Sequence, residues 1–523
     1  MKGSVGVIFG ETGSVQFKFA VTDPSEVKRT DYVKVWHSSD GWVLGQVMAM
    51  TRSSEIHNVS NAIMATDIDH GSDHIVATVT VIGARDNQGL LRIPRTPFRP
   101  GDRVYSADDE LIVGTLGLSQ GGAYLGLLDG TDIPVTVDRN KIIQKHCSIL
   151  AMTGSGKSYT AAVIMEEMLE RDVPLLIIDP HGEYASLKNC NDDADIDILS
   201  EKFKVLPKGY ENVVIYTPGD LKLCEYADKL FRLNGVDLKP KEIIDYVPDD
   251  LNNTEIGLIY EAVNALQNDH VHYTIRNVVS EIKSTHSAMK WGVINKLEPL
   301  LSSQFLSDKP TSLQELFVKG RASIIDMKGI HPDVQQTIVA KILSNLFDAR
   351  KAGTVPPGMI VVEEAHNFCP EKGFMKTTSS DALRSIASEG RKFGLGLLIV
   401  SQRPAKIDKN VLSQCNTQII MRVTNPNDLK AISKSLEGIS SELEEEIKHL
   451  PPGVALFVSP DIPRAVMVQV RVRKSKHGGV SKEISEDERP PEPEIIEEPE
   501  APLVQPEPKS LTESLFHRMF GKR

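Results

Sequence analysis

Six residues, Thr153-Gly154-Ser155-Gly156-Lys157-Ser158, have the composition and spacing of a phosphate-holding loop. The two glycines let backbone N–H groups turn inward and approach phosphate closely. An apolar run before the loop (HCSILAM) and a helical pattern after it (SYTAAVIMEEMLER) predict a strand–loop–helix unit, with positive partial charge at the helix N-terminus. Lys157 is placed to reach the β- and γ-phosphates of ATP, the Ser158 hydroxyl to ligate Mg²⁺, and Thr153, Gly154, Ser155, Gly156 and Tyr159 complete the candidate nucleotide contacts. The usual pattern opens with glycine where this chain has Ala151. A small residue suffices there, because the close approach occurs at Gly154 and Gly156.

A second unit, Met359-Ile360-Val361-Val362-Glu363-Glu364, reads as a buried strand tipped by two acids. Ligand sites in open parallel sheets lie at the carboxyl ends of strands. Glu363 is therefore expected to hold Mg²⁺ through water, and Glu364 to polarise the attacking water. Pro174–Ile178 predicts another strand, ending at Asp179-Pro180-His181-Gly182-Glu183-Tyr184, which brings Asp179 and Glu183 to the same crevice. A further strand ends in Ser401-Gln402-Arg403-Pro404. Gln402 there is either a γ-phosphate sensor or a polar strand cap. The segment Ser388-Glu389-Gly390-Arg391-Lys392-Phe393-Gly394 closes a helix before that strand. Its cations suit the helix dipole, and Arg391 equally suits an arginine finger on a transferring phosphoryl group.

These motifs need a scaffold, and the chain supplies a legible one. Its 523 residues suggest roughly three folded units. Residues 1–110 read as short strands (SVGVIFG, SVQFKFAV, DYVKVWH, WVLGQVMAM, ATVTVIGA) between Gly/Asp/Ser turns, the signature of a small β-barrel. Residues 111–184 and 321–473 alternate strands with helices, which predicts a parallel sheet covered on both faces. Residues 185–320 are more polar and read as a helical insertion. Residues 474–508 are dense in Pro and Glu and are expected to be disordered. The last stretch, 509–523, places Leu511, Leu515, Phe516, Met519 and Phe520 at helical spacing, as a docking motif for a partner would.

Composition removes several classes. Apolar runs reach only about seven residues, against ~20 for a membrane-spanning helix. The five cysteines are scattered, with no CxxC pair, which argues for a reducing cytoplasm and against a disulfide scaffold or zinc ribbon. The net charge of −12 is concentrated in the tail. Residues 483–507 carry −9 and 508–523 carry +3, which leaves −6 for residues 1–482. A DNA site on this body must be a local basic surface such as a pore lining. The segment Cys369–Ser380, with Lys372, Phe374 and Lys376, is a candidate for it.

Five segments in this order, ILAMTGSGKS, IIDPHGEY, IVVEEAHNF, EGRKFGLGLLIVSQRP and LSQCNTQIIMR, resemble HerA. HerA is the archaeal DNA-translocating ATPase grouped with FtsK and other RecA-like P-loop motors. The resemblance spans about 145–460 directly. It implies an α/β RecA-like core, with the family's small barrel at the N-terminus and its helical subdomain in the insertion. It also implies a homo-hexamer with ATP between subunits, double-stranded DNA in the channel and a NurA-type nuclease partner in DNA end processing. By this resemblance Lys157 and Ser158 are phosphate and Mg²⁺ ligands, Glu364 the catalytic acid and Gln402 the sensor. Arg391 is then a finger acting on a neighbour's ATP. Lys145, where the family often has arginine, is a second contact in trans, and it offers charge without a bidentate fork. Two other functions remain open: an ATP-gated clamp that recruits a nuclease without processive movement, and a coupling ATPase for DNA export. The catalytic acid and sensor favour hydrolysis over the clamp, and the lack of any membrane segment weighs against export.

Overall fold

The structure is a computed structural model. It describes residues 3–478 apart from 54–73, 119–120, 223, 248–250, 270–271, 302–304, 374–376 and 437–440. The expected docking motif at 509–523 and the linker from 479 onward lie outside the described residues.

The N-terminal strands Gly6–Ile8, Gln16–Val21, Tyr32–His37, Gly41–Ser53, His74–Arg85 and Arg103–Ser106 form one antiparallel sheet. It closes into a barrel because Gln16–Val21 pairs with His74–Arg85, Gln16 opposite Thr80. Alternating side chains (Phe17, Phe19, Val33, Val35, Val79, Val81) fill the interior. The helix Asp109–Leu116 follows, capped by the Asp108 carboxylate, which accepts the Leu111 N–H at 3.0 Å.

The second body is a twelve-stranded sheet. From one edge its strands run Lys229–Leu230, Val213–Thr217, Ala322–Asp326, Leu175–Asp179, Gly358–Val362, Leu395–Ser401, Cys147–Leu150 and Thr417–Ile420, all parallel. The antiparallel strands Val454–Val458, Val466–Val470, Ala123–Leu128 and Pro134–Val137 complete it. The central parallel strands are buried along their whole length, because helices cover both faces. That explains their unbroken apolar sequences.

Two findings revise the expected boundaries. Val213–Thr217 lies inside the segment expected to be a helical insertion, yet it is a strand of the central sheet. Five residues of β-branched and aromatic character leave no periodicity to set against their polar surroundings. The helices Pro240–Tyr246, Asn253–Asn268, Ile275–Ser284 and Lys290–Leu301 instead sit between the two short paired strands Leu233–Asn234 and Leu306–Ser307. Ile259, Val263, Val278, Ile282, Val293 and Leu297 join them to the main core. Ala123–Leu128 and Pro134–Val137 extend the sheet on its far side. Finally, residues 474–478 do not begin a free linker. Ser475 is fully buried, and its N–H and hydroxyl both donate to Glu166 Oε1, at 2.8 and 2.6 Å.

Candidate functional site

The Cys147–Leu150 strand and the Lys157–Leu169 helix hold the glycine loop at the carboxyl edge of the sheet. Gly154 and Gly156 have φ of +78° and +101°, a region that costs other residues strain. A Cβ at Gly156 would also meet Met421 Cε at 3.1 Å. Ala151, where the pattern has its first glycine, is fully buried. Ser155 Oγ donates to Met152 O at 2.6 Å and closes the loop's first turn. Ser158 stands half-buried on the first turn of the helix.

Parallel pairing of Leu175–Asp179, Gly358–Val362, Leu395–Ser401 and Cys147–Leu150 aligns their carboxyl ends. Glu363, Glu364 and Gln402 therefore meet the loop although each is more than 200 residues away in sequence. Lys157 Nζ donates to Glu363 Oε1 and, at 2.9 Å, to Glu364 Oε1. Thr153 Oγ1 donates to Gln402 Oε1. Glu364 sits at φ +47°, an unfavourable conformation for a non-glycine residue that turns the chain sharply after the strand.

The two acids are electrostatically distinct. Burial pushes Glu363 up to about 7 against the pull of Lys157 and of the Tyr184 hydroxyl, which donates to Glu363 Oε2. Glu364 is also buried, which alone would raise it, but His366 and Lys157 bring it down to about 2. His366 Nδ1 lies 3.2 Å from Glu364 Oε2 and 3.1 Å from Ser401 Oγ. Lys157 is raised above its ordinary value, because the two carboxylates outweigh its burial. Glu364 is thus ionised near neutrality, as a group that polarises water must be. His366 and Tyr184 carry no role in the sequence reading. Their only signal is position, two residues past the acid and five past Asp179.

Other candidate residues take different places. The Asp179 carboxylate accepts three backbone N–H groups, from His181, Gly182 and Tyr184, at 3.2, 2.8 and 3.0 Å. It shapes the turn that delivers Tyr184. The Tyr159 hydroxyl accepts the Arg473 N–H at 2.8 Å. Lys145 and Arg391 lie at the opposite edge of the sheet from the loop. The strand Leu395–Ser401 separates Arg391 from Gln402 by about 20 Å at ~3.3 Å per residue. His146 Nε2, bonded to Ala387 O at 3.1 Å, ties the Lys145 and Arg391 helices together. Arg391 is exposed and has no ion pair among the described residues. Lys145 is bound to Asp461 at 3.2 Å, beside Lys141 at 2.9 Å. Of the expected pore segment, Phe374 and Lys376 lie outside the described residues. Among the described residues no helix is long and apolar enough to cross a membrane.

Oxygen donors suit Mg²⁺, and Ser158 and Glu363 flank the loop from adjoining elements. Bound there, the ion would neutralise charge on the phosphates.

A glycine loop between strand and helix, beside a parallel strand tipped by an ionised acid, defines a P-loop ATPase with nucleotide at the carboxyl edge of its sheet. Residues 123–346 match the family model described as the central domain of the helicase HerA. A probable helicase of Methanocaldococcus jannaschii is 28% identical over 91% of this chain and 92% of its own length. The DNA double-strand break repair helicase HerA of Pyrococcus furiosus is 26% identical over 91% and 94%. Among solved structures, VirB4 of Thermoanaerobacter pseudethanolicus aligns with a TM-score of 0.48 at 15% identity, over 68% of this chain and 98% of that one. The plasmid coupling protein TrwB, in complex with ADP and Mg²⁺, aligns at 0.46 and 13%, over 69% and 91%. The chain is thus a P-loop ATPase that is similar over residues 123–346 to the HerA central domain, and over nine-tenths of its length to proteins named as helicases.

Proposed function

We propose that this chain is an ATP-driven translocase of double-stranded DNA, working as a homo-hexameric ring in DNA end processing with a NurA-type nuclease. One observation carries the ring: Arg391 stands exposed at the other edge of the sheet, about 20 Å from the site around Lys157, Glu363, Glu364 and Gln402, out of reach of its own subunit's nucleotide. A head-to-tail ring brings that edge of one subunit onto the open site of the next. Lys157 then leaves the two acids for the phosphates of ATP, Ser158 and Glu363 hold Mg²⁺, Glu364 polarises water, and Gln402 reports the γ-phosphate. Arg391 of the neighbouring subunit stabilises the transferring group. The relatives named as double-strand break repair helicases support DNA as the track.

The test is steady-state ATPase activity with and without linear duplex DNA, alongside native mass measurement. DNA-stimulated turnover by a six-subunit species is expected. Turnover indifferent to DNA, from a monomer, would refute both the ring and the track.

A further inference from the structure

The strand Val466–Val470 runs parallel to the phosphate-loop strand, because two successive antiparallel pairings relate them through Thr417–Ile420. Its continuation, residues 471–478, therefore emerges at the nucleotide edge and crosses the Lys157–Leu169 helix. It is firmly held there. Arg471 pairs with Glu166 and Glu167 at 2.9 and 2.8 Å, and Asn191 Nδ2 donates to Arg473 O at 2.9 Å.

The segment ends against Tyr159, which directly follows the Mg²⁺-ligand candidate Ser158. The Arg473 guanidinium lies 5.7 Å from the Tyr159 ring centroid, and the His477 ring 5.6 Å away at 65°. Arg473 Nη1 and Nη2 reach His477 Nδ1 and Ser475 Oγ, at 3.2 and 3.0 Å. Its Nε is buried without a hydrogen-bond partner among the described residues; the nearest acid, Glu166, is 3.9 Å away. Burial and the Arg473 charge lower the His477 pKa, so its imidazole is neutral near pH 7 and able to donate and accept. Two aromatic rings and a planar cation thus converge one residue beyond the phosphate ligands.

We propose that Tyr159, His477 and Arg473 form the nucleobase-recognition face of the ATP site, with the purine stacking on Tyr159 and the His477 edge reading its polar atoms. The proposal rests on the ATPase reading of the phosphate loop. It gives the C-terminal segment a part in nucleotide selection. Aromatic planes suit a base, which has a π-face and hydrogen-bonding edges, and the Arg473 Nη atoms that could bind phosphate are taken up by His477 and Ser475.

The test compares calorimetric binding of Mg·ADP with that of Mg·tripolyphosphate, which carries a phosphate chain but no base, by the full chain. Tyr159→Ala should weaken ADP about tenfold, the scale of one lost stacking contact, and leave tripolyphosphate within about twofold. Tyr159→Phe keeps the ring and loses the bond to the Arg473 N–H, and should retain ADP affinity. His477→Ala should weaken ADP selectively, in the same direction. Equal weakening of both ligands by Tyr159→Ala, or loss of ADP affinity in Tyr159→Phe, would overturn the proposal in favour of a positioning role. Unchanged ADP affinity in Tyr159→Ala would overturn it outright. A wild-type chain that bound neither ligand would instead sink the phosphate-loop reading.

Discussion

The arrangement of Arg391 can be broken and restored. Its helix, Ser379–Phe393, ends at the amino edge of the sheet, and the seven-residue strand Leu395–Ser401 places it about 20 Å from its own phosphate loop, beyond the reach of any side chain. Arg391→Ala should leave folding and nucleotide affinity near wild type, because the residue is exposed and unpaired among the described residues. Turnover should fall by roughly 10³–10⁵, the worth of an arginine supplied in trans. Lys157→Ala should fail for the opposite reason, losing its own phosphate contact and keeping its finger. In an equimolar random mixture of the two, about a quarter of head-to-tail interfaces join an intact loop to an intact finger, so phosphate release should recover to about a quarter of wild type if interfaces fire independently. Activity is read as phosphate release across mixing ratios, with mixed rings verified by native mass spectrometry. No recovery at any ratio in verified mixed rings would refute the trans assignment.

Glu364→Gln should bind ATP and not cleave it; a wild-type hydrolysis rate in this variant would move the catalytic role to Glu363. Stability should fall as pH rises from about 4.5 to about 7, because folding raises the Glu363 carboxyl to about 7 and Asp179 to about 6, so the native state binds more protons than the unfolded chain in that window. For Glu363 the effect is on the order of 2–3 kcal/mol, and denaturant titrations at pH 5 and pH 8 should show a flatter dependence in Glu363→Gln; an unchanged slope would contradict the burial argument. Arg471→Ala removes the buried cation shared by Glu166 and Glu167, leaving Glu166 to Ser475 and Glu167 to Arg171 and Lys474, and should cost about 3 kcal/mol by chemical denaturation, whereas a loss under about 1 kcal/mol would mean that water reaches the pair.

The chemistry of this protein was legible in short stretches of chain, because each depends on local geometry. Phosphate binding needs glycines, a lysine and a hydroxyl in consecutive positions, and the strand Gly358–Val362 announces itself by an apolar run ending in acids. The barrel strands showed through alternation and turn residues. What the local pattern could not carry was pairing across the fold. Val213–Thr217 is too short to betray a period, and only the register with Ala322–Asp326 makes it part of the sheet. Asp179 is a ligand candidate because it tips a strand, and only the tertiary turn shows that its oxygens also accept three amides. Tyr184 and His366 acquired roles because parallel strands bring their tips to one edge, a consequence of hydrogen bonding between segments up to hundreds of residues apart. The difference between Glu363 and Glu364, adjacent acids held at about 7 and about 2, arises from burial and neighbours that no local window contains.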